Sequence, residues 1–478
     1  MKQKLLLAGI LLCQFSLLVA QKHKPDEVIN SLDQQTGHYG EMAQQIWTYA
    51  ELGYQEEKSS ALLQEELQQA GFTLETGVAG IPTAFVATYG QGSPVIGILA
   101  EFDALPGVSQ QAVPRPEPRD DVRAGHACGH HLFGVASTAA GIAVKDWLQK
   151  SGKSGTIKLF GTPAEEGGAG KVYMVREGLF NDVDVVLHWH PSSSNSAHAA
   201  SSLSNKSAKF RFYGTASHAA SAPQNGRSAL DGVEAMNHMV NMLREHVPME
   251  SRIHYVITRG GEAPNVVPAF SEAFYYVRHP EMQQVRDLFE RVVLAAQGAA
   301  LGTGTRMEYE VIHGLYNILP NETLGRVMHN NLVKVGGVQY DMKELEFAKE
   351  LITSYGATED TLRSSERITP FKVVTRGTGG STDVGDVSWM VPTAGMRAAT
   401  WVPGTSAHSW QAVAAGGTSI GTKGMMVAAK TLALTALEIM QDQKLVQKAK
   451  QELLRRRGTD FKYDALLGDR QPPLDYRQ

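Results

Sequence analysis

The sequence predicts an α/β fold: a mainly parallel sheet flanked by helices, with an inserted ferredoxin-like α+β domain. Apolar strand segments alternate with helical segments between residues 94 and 187, an order typical of a parallel sheet with helices on its faces. Residues 206–316 instead follow the order β-α-β-β-α-β, the split βαβ pattern of ferredoxin-like domains. A chain of 478 residues is also too long to fold around a single ordinary hydrophobic core, which suggests two domains.

The predicted elements follow in chain order. In the catalytic part, helical periodicity covers 26–71 and 171–177, a buried helix covers 132–148, and strands cover 84–89, 94–100, 156–160 and 184–187. In the inserted part, strands cover 208–213, 252–258, 271–277 and 305–313, and helices cover 228–244 and 281–300. After these come a helix from Asn321, an irregular region to Thr378, helices over 418–440 and 441–457, and a loose end.

These patterns divide the chain into four parts. We predict a signal peptide over residues 1–20, a catalytic domain over 21–205 and 319–478, and a lid or dimerisation domain over 206–318. The signal is predicted because two lysines precede an apolar run that ends at Ala20 and is followed by polar residues. An uncleaved membrane anchor is the alternative, but the run is shorter than the ~20 residues of a spanning helix. We therefore expect export to the periplasm or beyond, with no stable membrane insertion.

Composition narrows the class of protein. The chain is 42% hydrophobic and 20% charged, as is usual for a soluble enzyme. Its net charge of −4 gives no basic surface for nucleic acid. Of its two cysteines, Cys13 falls in the predicted signal. Cys128 would therefore be a single thiol in an oxidising compartment, and metal ligation would explain it.

A thiol and three imidazoles fall between His126 and His131. Cys128 and His130 are two residues apart, which on a helix would separate their side chains by about 200°. Both can reach one metal only from a turn at the helix start, and Gly129 permits such a turn.

Polar residues follow the predicted strands, where ligand sites of parallel sheets form: Asp103, Glu165, Glu166 and His190. Adjacent residues leaving a strand point in opposite directions. One glutamate could therefore bind a metal while the other takes a proton from water, although two solvated glutamates are the simpler alternative. His188 would face the same side as His190, so spacing does not separate them.

His408 lies in a Gly/Ser/Pro loop and by itself is one of 16 histidines. Together with Cys128, His130, Glu166 and His190 it makes five donors, more than the four of a closed structural zinc site. Five donors suit two metals that share a bridging ligand and leave room for water.

The inserted domain and a later Gly-rich segment offer further candidates. His218 could donate to a developing oxyanion when the domain closes, or it could be a surface histidine. Asn265 could supply an amide donor or only form a turn. We count Asn265, Arg278, Gly380 and Thr382 as candidate substrate-binding residues.

The motifs HACGHH, PAEEGG, HWHP, SHAA followed by proline, PNVVP and AHSW together resemble the dinuclear metallopeptidase family of carboxypeptidase G and aminoacylase. Within it, the chain is most similar to the amidohydrolase branch of hippurate and indole-acetyl-amino-acid hydrolases. The stretches GKVYMVREGLF, NGRSALD and GSTDVGDVSW are most similar to the p-aminobenzoyl-glutamate hydrolases of that branch. The resemblance covers nearly the whole chain after the predicted signal.

The resemblance also implies roles. Cys128 would bridge two metals, with His130 and His190 on one of them and Glu166 and His408 on the other. The implied catalytic residues are Glu165 as general base, His218 as oxyanion donor reaching across a dimer, and Asp103, which orients a metal-bound histidine. Two positions depart from the family: Glu101 replaces a ligand histidine, and His131 stands where relatives often have Asp or Asn.

We therefore expect hydrolysis of the amide bond of an N-acyl amino acid or dipeptide resembling p-aminobenzoyl-glutamate, with two divalent ions, zinc or manganese. The resemblance implies a homodimer through the lid domain and leaves open a second, different subunit. A cysteine hydrolase using Cys128 is one alternative, but it gives Glu166, His190 and His408 no role. An exported, non-catalytic metal- or solute-binding protein is the other.

Overall fold

The computed structural model describes residues 25–477, so the predicted signal peptide lies outside the described residues. The helices are α1 Pro25–Gln34, α2 Thr36–Tyr49, α3 Glu57–Gln69, α4 His130–Ser151, α5 Gly170–Arg176, α6 Ala229–Leu243, α7 Met282–Thr303, α8 Glu322–Val335, α9 Met342–Ile352, α10 Glu359–Leu362, α11 Val384–Met390, α12 Trp410–Gly416, α13 Ser419–Gln441 and α14 Gln443–Arg457. The strands are β1 Thr73–Thr76, β2 Phe85–Gln91, β3 Val95–Ala100, β4 Gly155–Gly161, β5 Val185–Ser192, β6 Ala199–Ala200, β7 Ser204–Tyr213, β8 Arg252–Arg259, β9 Phe270–His279, β10 Arg306–Leu315, β11 Val373–Val374 and β12 Thr393–Ala399. Within residues 25–477, none of the helices combines the length and apolar character needed to cross a bilayer.

The catalytic part is built on a six-stranded sheet in the order β1-β2-β4-β3-β5-β12. Strands β4, β3, β5 and β12 run parallel, whereas at one edge β2 pairs antiparallel with β4 and β1 pairs antiparallel with β2. The predicted mainly parallel sheet is confirmed. Its central strand β3 is apolar on both faces because helices cover both. Ile96 and Ile98 pack with α4 and α13, and Leu99 packs on the opposite face with α5 and α11.

The inserted part is a four-stranded antiparallel sheet in the order β10-β7-β9-β8. Its helices α6 and α7 bury one apolar face against β7 and β9, with Phe210, Tyr275 and Phe289 in the shared core. The α+β class of this part agrees with the expectation. The exact boundaries at residues 205/206 and 318/319 stay predictions.

Several segments differ from the expectation. Strand β5 continues to Ser192, so His188 and His190 lie within it and not beyond its end. The reason is β12, which the sequence did not predict and which pairs in parallel with β5 from Thr393–Val186 to Ala399–Ser192. The region predicted as irregular contains α9 and α10, and α9 begins with an Asp341–Glu344 capping box that was overlooked.

The C-terminal segment, residues 458–477, is packed and not loose as predicted. Leu466 and Leu467 are buried, and the Tyr463 hydroxyl donates to Asp386 at 2.7 Å. Arg470 donates to the carbonyl of Val311 on β10 at 2.7 Å. The segment therefore contacts both the catalytic and the inserted parts, because its apolar residues return to the protein after the charged helix α14.

We expect Leu466→Ala to lower the free energy of unfolding by about 2–5 kcal/mol, because Leu466 is only 1% exposed and packs against β10 at Gly314. Leu474→Ala is the matched control in the same segment: Leu474 is 37% exposed, so its loss should cost less than about 1 kcal/mol. Denaturant unfolding measures both. A cost below about 1 kcal/mol for both variants would show that this segment does not stabilise the fold.

Candidate metal centre and active-site cavity

The five predicted donors lie in two groups that share Cys128. Cys128, His130 and His190 form one group, and Cys128, Glu166 and His408 form the other. Within each group the donor atoms lie within 4.8 Å of one another. The structure thus brings together all five residues with Cys128 in the shared position. Their individual roles stay predictions.

The turn before α4 explains how Cys128 and His130 point the same way. Gly129 has φ of 77° and precedes the first helical residue, His130, so Cys128 lies outside the helix. A Cβ atom at Gly129 would lie 2.6 Å from Cβ of Pro191. Glycine is therefore required both for the left-handed backbone and for the close approach of β5. The Cys128 Sγ atom lies 3.4 Å from Nε2 of His190.

Hydrogen bonds fix which imidazole nitrogens face the centre. His190 donates through Nδ1 to the Pro191 carbonyl at 2.7 Å, and His130 donates through Nδ1 to Asp103 at 2.8 Å. Each ring therefore presents Nε2 as an acceptor to the centre.

Buried atoms without hydrogen bonds show that the centre fits cations. His130 Nε2 and Glu101 Oε2 lie 3.1 Å apart, yet neither makes a hydrogen bond among the described residues. Glu166 Oε1 is likewise buried without a hydrogen bond, 3.1 Å from His408 Nε2. In both pairs a nitrogen and an oxygen atom face each other without a hydrogen bond. Imidazole and carboxylate groups, together with thiolates, are usual ligands of divalent metals. Glu101, His130 and Glu165 form a third such group.

Asp103 connects the two halves of the centre. One carboxylate oxygen accepts from His130, and the other accepts from the backbone N–H of Glu166 at 2.9 Å. The side chain is buried. Asp103 thus orients a candidate donor of one group and positions the backbone of a candidate donor in the other.

The turn that carries Glu165 and Glu166 is held from several directions. Ala164 has φ of 56°, which is unusual for a residue with a side chain, and its N–H donates to Glu56 at 2.8 Å. Burial, and then the charge of Asp103, raise the pKa of Glu56 to about 8. From the C-terminal segment, the Tyr476 hydroxyl and the Arg477 guanidinium donate to the Glu166 carbonyl at 3.1 and 2.6 Å. Sequence reasoning overlooked these supporting residues.

A buried ion-pair cluster lies beside the centre and was also overlooked. Lys171 Nζ lies 2.7 Å from Glu101 and 2.7 Å from Asp383, and its backbone N–H donates to Asp383 at 3.0 Å. All three side chains are buried. Burial and the negative charges of Glu101, Glu166 and Asp383 raise the pKa of Glu165 well above its usual range. Lys171 and Asp383 both fall within motifs that carried the resemblance, which was the available clue.

A cavity of about 630 Å³ opens onto the metal centre. It is lined by Cys128, Glu165, Glu166, His190 and His408 from the centre. Gly380 and Thr382, two of the predicted substrate-binding residues, line it as well.

Three other candidates do not line this cavity within the described chain. His218 and Asn265 lie next to each other on the inserted part, both exposed, and the N–H of Ala219 donates to the Asn265 carbonyl at 2.9 Å. Arg278 lies on β9 with its guanidinium over the Tyr276 ring, 5.3 Å from the ring centroid. The arrangement within one chain therefore leaves their roles as predictions.

Comparison with known proteins places these features in context. The sequence matches peptidase family M20/M25/M40 over residues 97–434. It is 41% identical to one of the subunits of p-aminobenzoyl-glutamate hydrolase of Escherichia coli strain K12, an alignment covering 87% of this chain and 91% of that protein. It is 30% identical to Xaa-Arg dipeptidase of Homo sapiens, covering 87% and 88% of the two chains. The sequence-based resemblance is confirmed.

Solved structures share the fold. An aminobenzoyl-glutamate utilization protein from Klebsiella pneumoniae superposes with a TM-score of 0.60 at 19% identity, covering 87% of this chain and 98% of that one. A dinuclear metal-binding peptidase of the M20 family from Bacillus subtilis gives a TM-score of 0.56 at 16% identity, covering 87% and 99%.

We expect His408→Ala to lose one of two divalent ions, with affinity at that position falling more than about 100-fold, because outer contacts alone already cost 10–100-fold. His198→Ala is the matched control, since His198 also lines the cavity but belongs to neither donor group. Metal content after dialysis, with zinc and manganese tested separately, measures both variants. If His408→Ala and His198→Ala retained the same metal content, the second donor group would be wrong.

Proposed function

The chain belongs to peptidase family M20/M25/M40, and from that premise we propose that it hydrolyses the amide bond of an N-acyl amino acid or dipeptide resembling p-aminobenzoyl-glutamate. Hydrolysis of an amide bond follows from the family, whereas the substrate is our proposal. The observation that carries it is the pair of donor groups sharing Cys128, with Glu165 beside them on the wall of the cavity.

Five side chains would hold two divalent ions: Cys128, His130, His190, Glu166 and His408. When bound, such ions lower the pKa of a water and polarise the substrate carbonyl. The donor set supports zinc through its thiolate and imidazoles, and manganese is a second candidate through the Glu166 carboxylate.

Glu165 is the proposed general base. It lies in the turn next to Glu166 and close to the negative charges of Glu101 and Asp383, which favour its uptake of a proton. It would take a proton from the attacking water and deliver it to the leaving amine nitrogen. Lys171 balances Glu101 and Asp383 through two ion pairs, so these carboxylates stay in place while Glu165 changes charge.

The cavity supports a small substrate. A volume of about 630 Å³ is within the range of small-molecule sites. The similar proteins named above include part of a p-aminobenzoyl-glutamate hydrolase and an Xaa-Arg dipeptidase, whose substrates are both small amides of amino acids.

We also propose a homodimer through the inserted part. There β8 is an open sheet edge, and apolar side chains such as Met242, Met249 and Val256 are exposed. Such an assembly would allow His218 and Asn265 of one protomer to reach the cavity of its partner. Assembly with a different chain is also compatible with this proposal, because the similar proteins include two different subunits of p-aminobenzoyl-glutamate hydrolase.

Export of the protein is a further part of the proposal. It is supported by the charged, apolar and polar order of residues 1–24. It is also supported by the position of Cys128, the single cysteine after this stretch, which is buried in the donor groups and so protected from oxidation.

We expect Glu165→Gln to lower kcat by about 10²- to 10⁴-fold while two metal ions stay bound, because the variant keeps the shape of the side chain and loses its ability to accept a proton. Glu177→Gln, at an exposed position after α5, is the control and should keep wild-type turnover. Hydrolysis of p-aminobenzoyl-glutamate and hippurate, with metal content measured in parallel, gives the comparison. Full turnover in Glu165→Gln would favour a cysteine hydrolase instead.

Mixing two variants tests whether His218 acts across a dimer. Glu165→Gln and His218→Ala should each be nearly inactive, but a mixture allowed to exchange protomers should recover about a quarter of wild-type activity. The recovered activity would come from heterodimers, in which one site has its own Glu165 and the partner's His218. No recovery in mixtures shown to contain heterodimers would mean that His218 does not act in trans.

A further inference from the structure

Arg397 is carried to the cavity by β12, the strand that sequence analysis overlooked. In the parallel pairing of β12 with β5, Arg397 lies opposite His190, and Gly395 lies opposite His188. Paired residues of neighbouring strands point to the same face. Arg397 therefore projects on the face where His190 reaches the metal centre, while Met396 and Ala398 point into the apolar core on the other face.

On this face of β12, Thr393, Gly395 and Arg397 line the cavity, and Arg397 is the charged residue among the three. A Cβ atom at Gly395 would lie 2.2 Å from Nε2 of His188, so the His188 ring lies directly over this glycine. The next residue on the same face is Arg397, and it lines the cavity together with Ser196 and His198.

The Arg397 backbone is fixed, whereas its guanidinium has no partner among the described residues. Its N–H donates to the Ser196 carbonyl at 2.7 Å, and its carbonyl accepts from the Ser196 N–H at 3.0 Å. No carboxylate of residues 25–477 forms an ion pair with the guanidinium, and no hydrogen bond to it is observed. By contrast, Arg376, an exposed arginine outside the cavity, pairs with Glu250 and Glu281 at 3.3 and 3.1 Å.

Charge within the cavity is therefore separated. Glu101, Glu165 and Glu166 lie on the metal side, whereas Arg397 and His198 lie on the side formed by β12 and β6. Lys372 acts electrostatically on His198 and adds positive charge at the same end. A carboxylate of a bound molecule would therefore be attracted to the end of the cavity that Arg397 and Lys372 make positive.

We propose that Arg397 forms a subsite for a carboxylate of the substrate, and that it selects N-acyl amino acids and dipeptides with a free carboxylate over their neutral amides. This inference rests on the proposed function and names the charge that its substrate carries. The planar guanidinium can bind both oxygens of a carboxylate at once. Because paired strands are about 4.8 Å apart, the Arg397 backbone lies beside that of the metal-side His190, and both side chains line the same cavity.

Arg397 differs in position from Arg278, the arginine that the sequence analysis named as a candidate for substrate binding. Arg278 is on the inserted part, does not line the cavity in the described chain and packs on Tyr276. Arg397 belongs to the sheet that carries the metal centre, so its position relative to His190 does not depend on movement of the inserted part.

Binding of two probes to metal-loaded protein tests the inference without turnover. Benzoylglycine carries a carboxylate, and benzoylglycinamide is its neutral counterpart. In the Glu165→Gln background, adding Arg397→Gln should lower the affinity for benzoylglycine about 10- to 100-fold. The affinity for benzoylglycinamide should change less than about 3-fold, and calorimetry measures both. Arg397→Lys should recover part of the loss, and Arg376→Gln is the control that should change neither probe.

Two results would overturn the inference. One is an equal loss for both probes in Arg397→Gln, which would indicate a role in shaping the cavity. The other is a parent protein that does not distinguish benzoylglycine from benzoylglycinamide. Failure of the proposed function would look different: Arg397-dependent selectivity in binding would persist, while the wild-type protein would hydrolyse neither p-aminobenzoyl-glutamate nor hippurate.

Discussion

The metal centre depends on one buried carboxylate, that of Asp103. Its two oxygens accept from His130 and from the backbone of Glu166, so residues from α4 and from the turn after β4 are held by a single side chain. A buried carboxylate is costly unless its oxygens are paired, and here both are. The same bonds that satisfy Asp103 thus set the distance between the two donor groups.

Cys128, His130, Glu165 and Glu166 could be predicted because the pattern that identifies each lies within a few consecutive residues. Cys128, Gly129 and His130 are consecutive, and their spacing permits only a turn at the helix start. Glu165 and Glu166 follow an obvious apolar strand. The α/β class and the inserted α+β part followed from periodicity for the same reason: each helix or strand is recognisable over about ten residues.

The elements that surround these residues could not be predicted because they depend on contacts between segments that are far apart in the sequence. Strand β12 exists as a neighbour of β5, about 200 residues earlier in the chain, and its mixed sequence gave no clear alternation. The Lys171–Asp383 pair and the Glu56 contact likewise join remote positions, and one charged residue in a sequence does not reveal its partner. The packed C-terminal segment was overlooked because its few apolar residues have no helical or strand period.

The contact of Tyr476 and Arg477 with the Glu166 carbonyl has a consequence for biosynthesis. These two residues leave the ribosome after every helix and strand of the described fold. The sheet, the inserted part and most of the donor groups can form while the chain is still being translated. The turn that bears Glu166 gains these two hydrogen bonds only after those elements have been made, so a chain whose translation stops shortly before residue 476 would fold with this predicted ligand incompletely held.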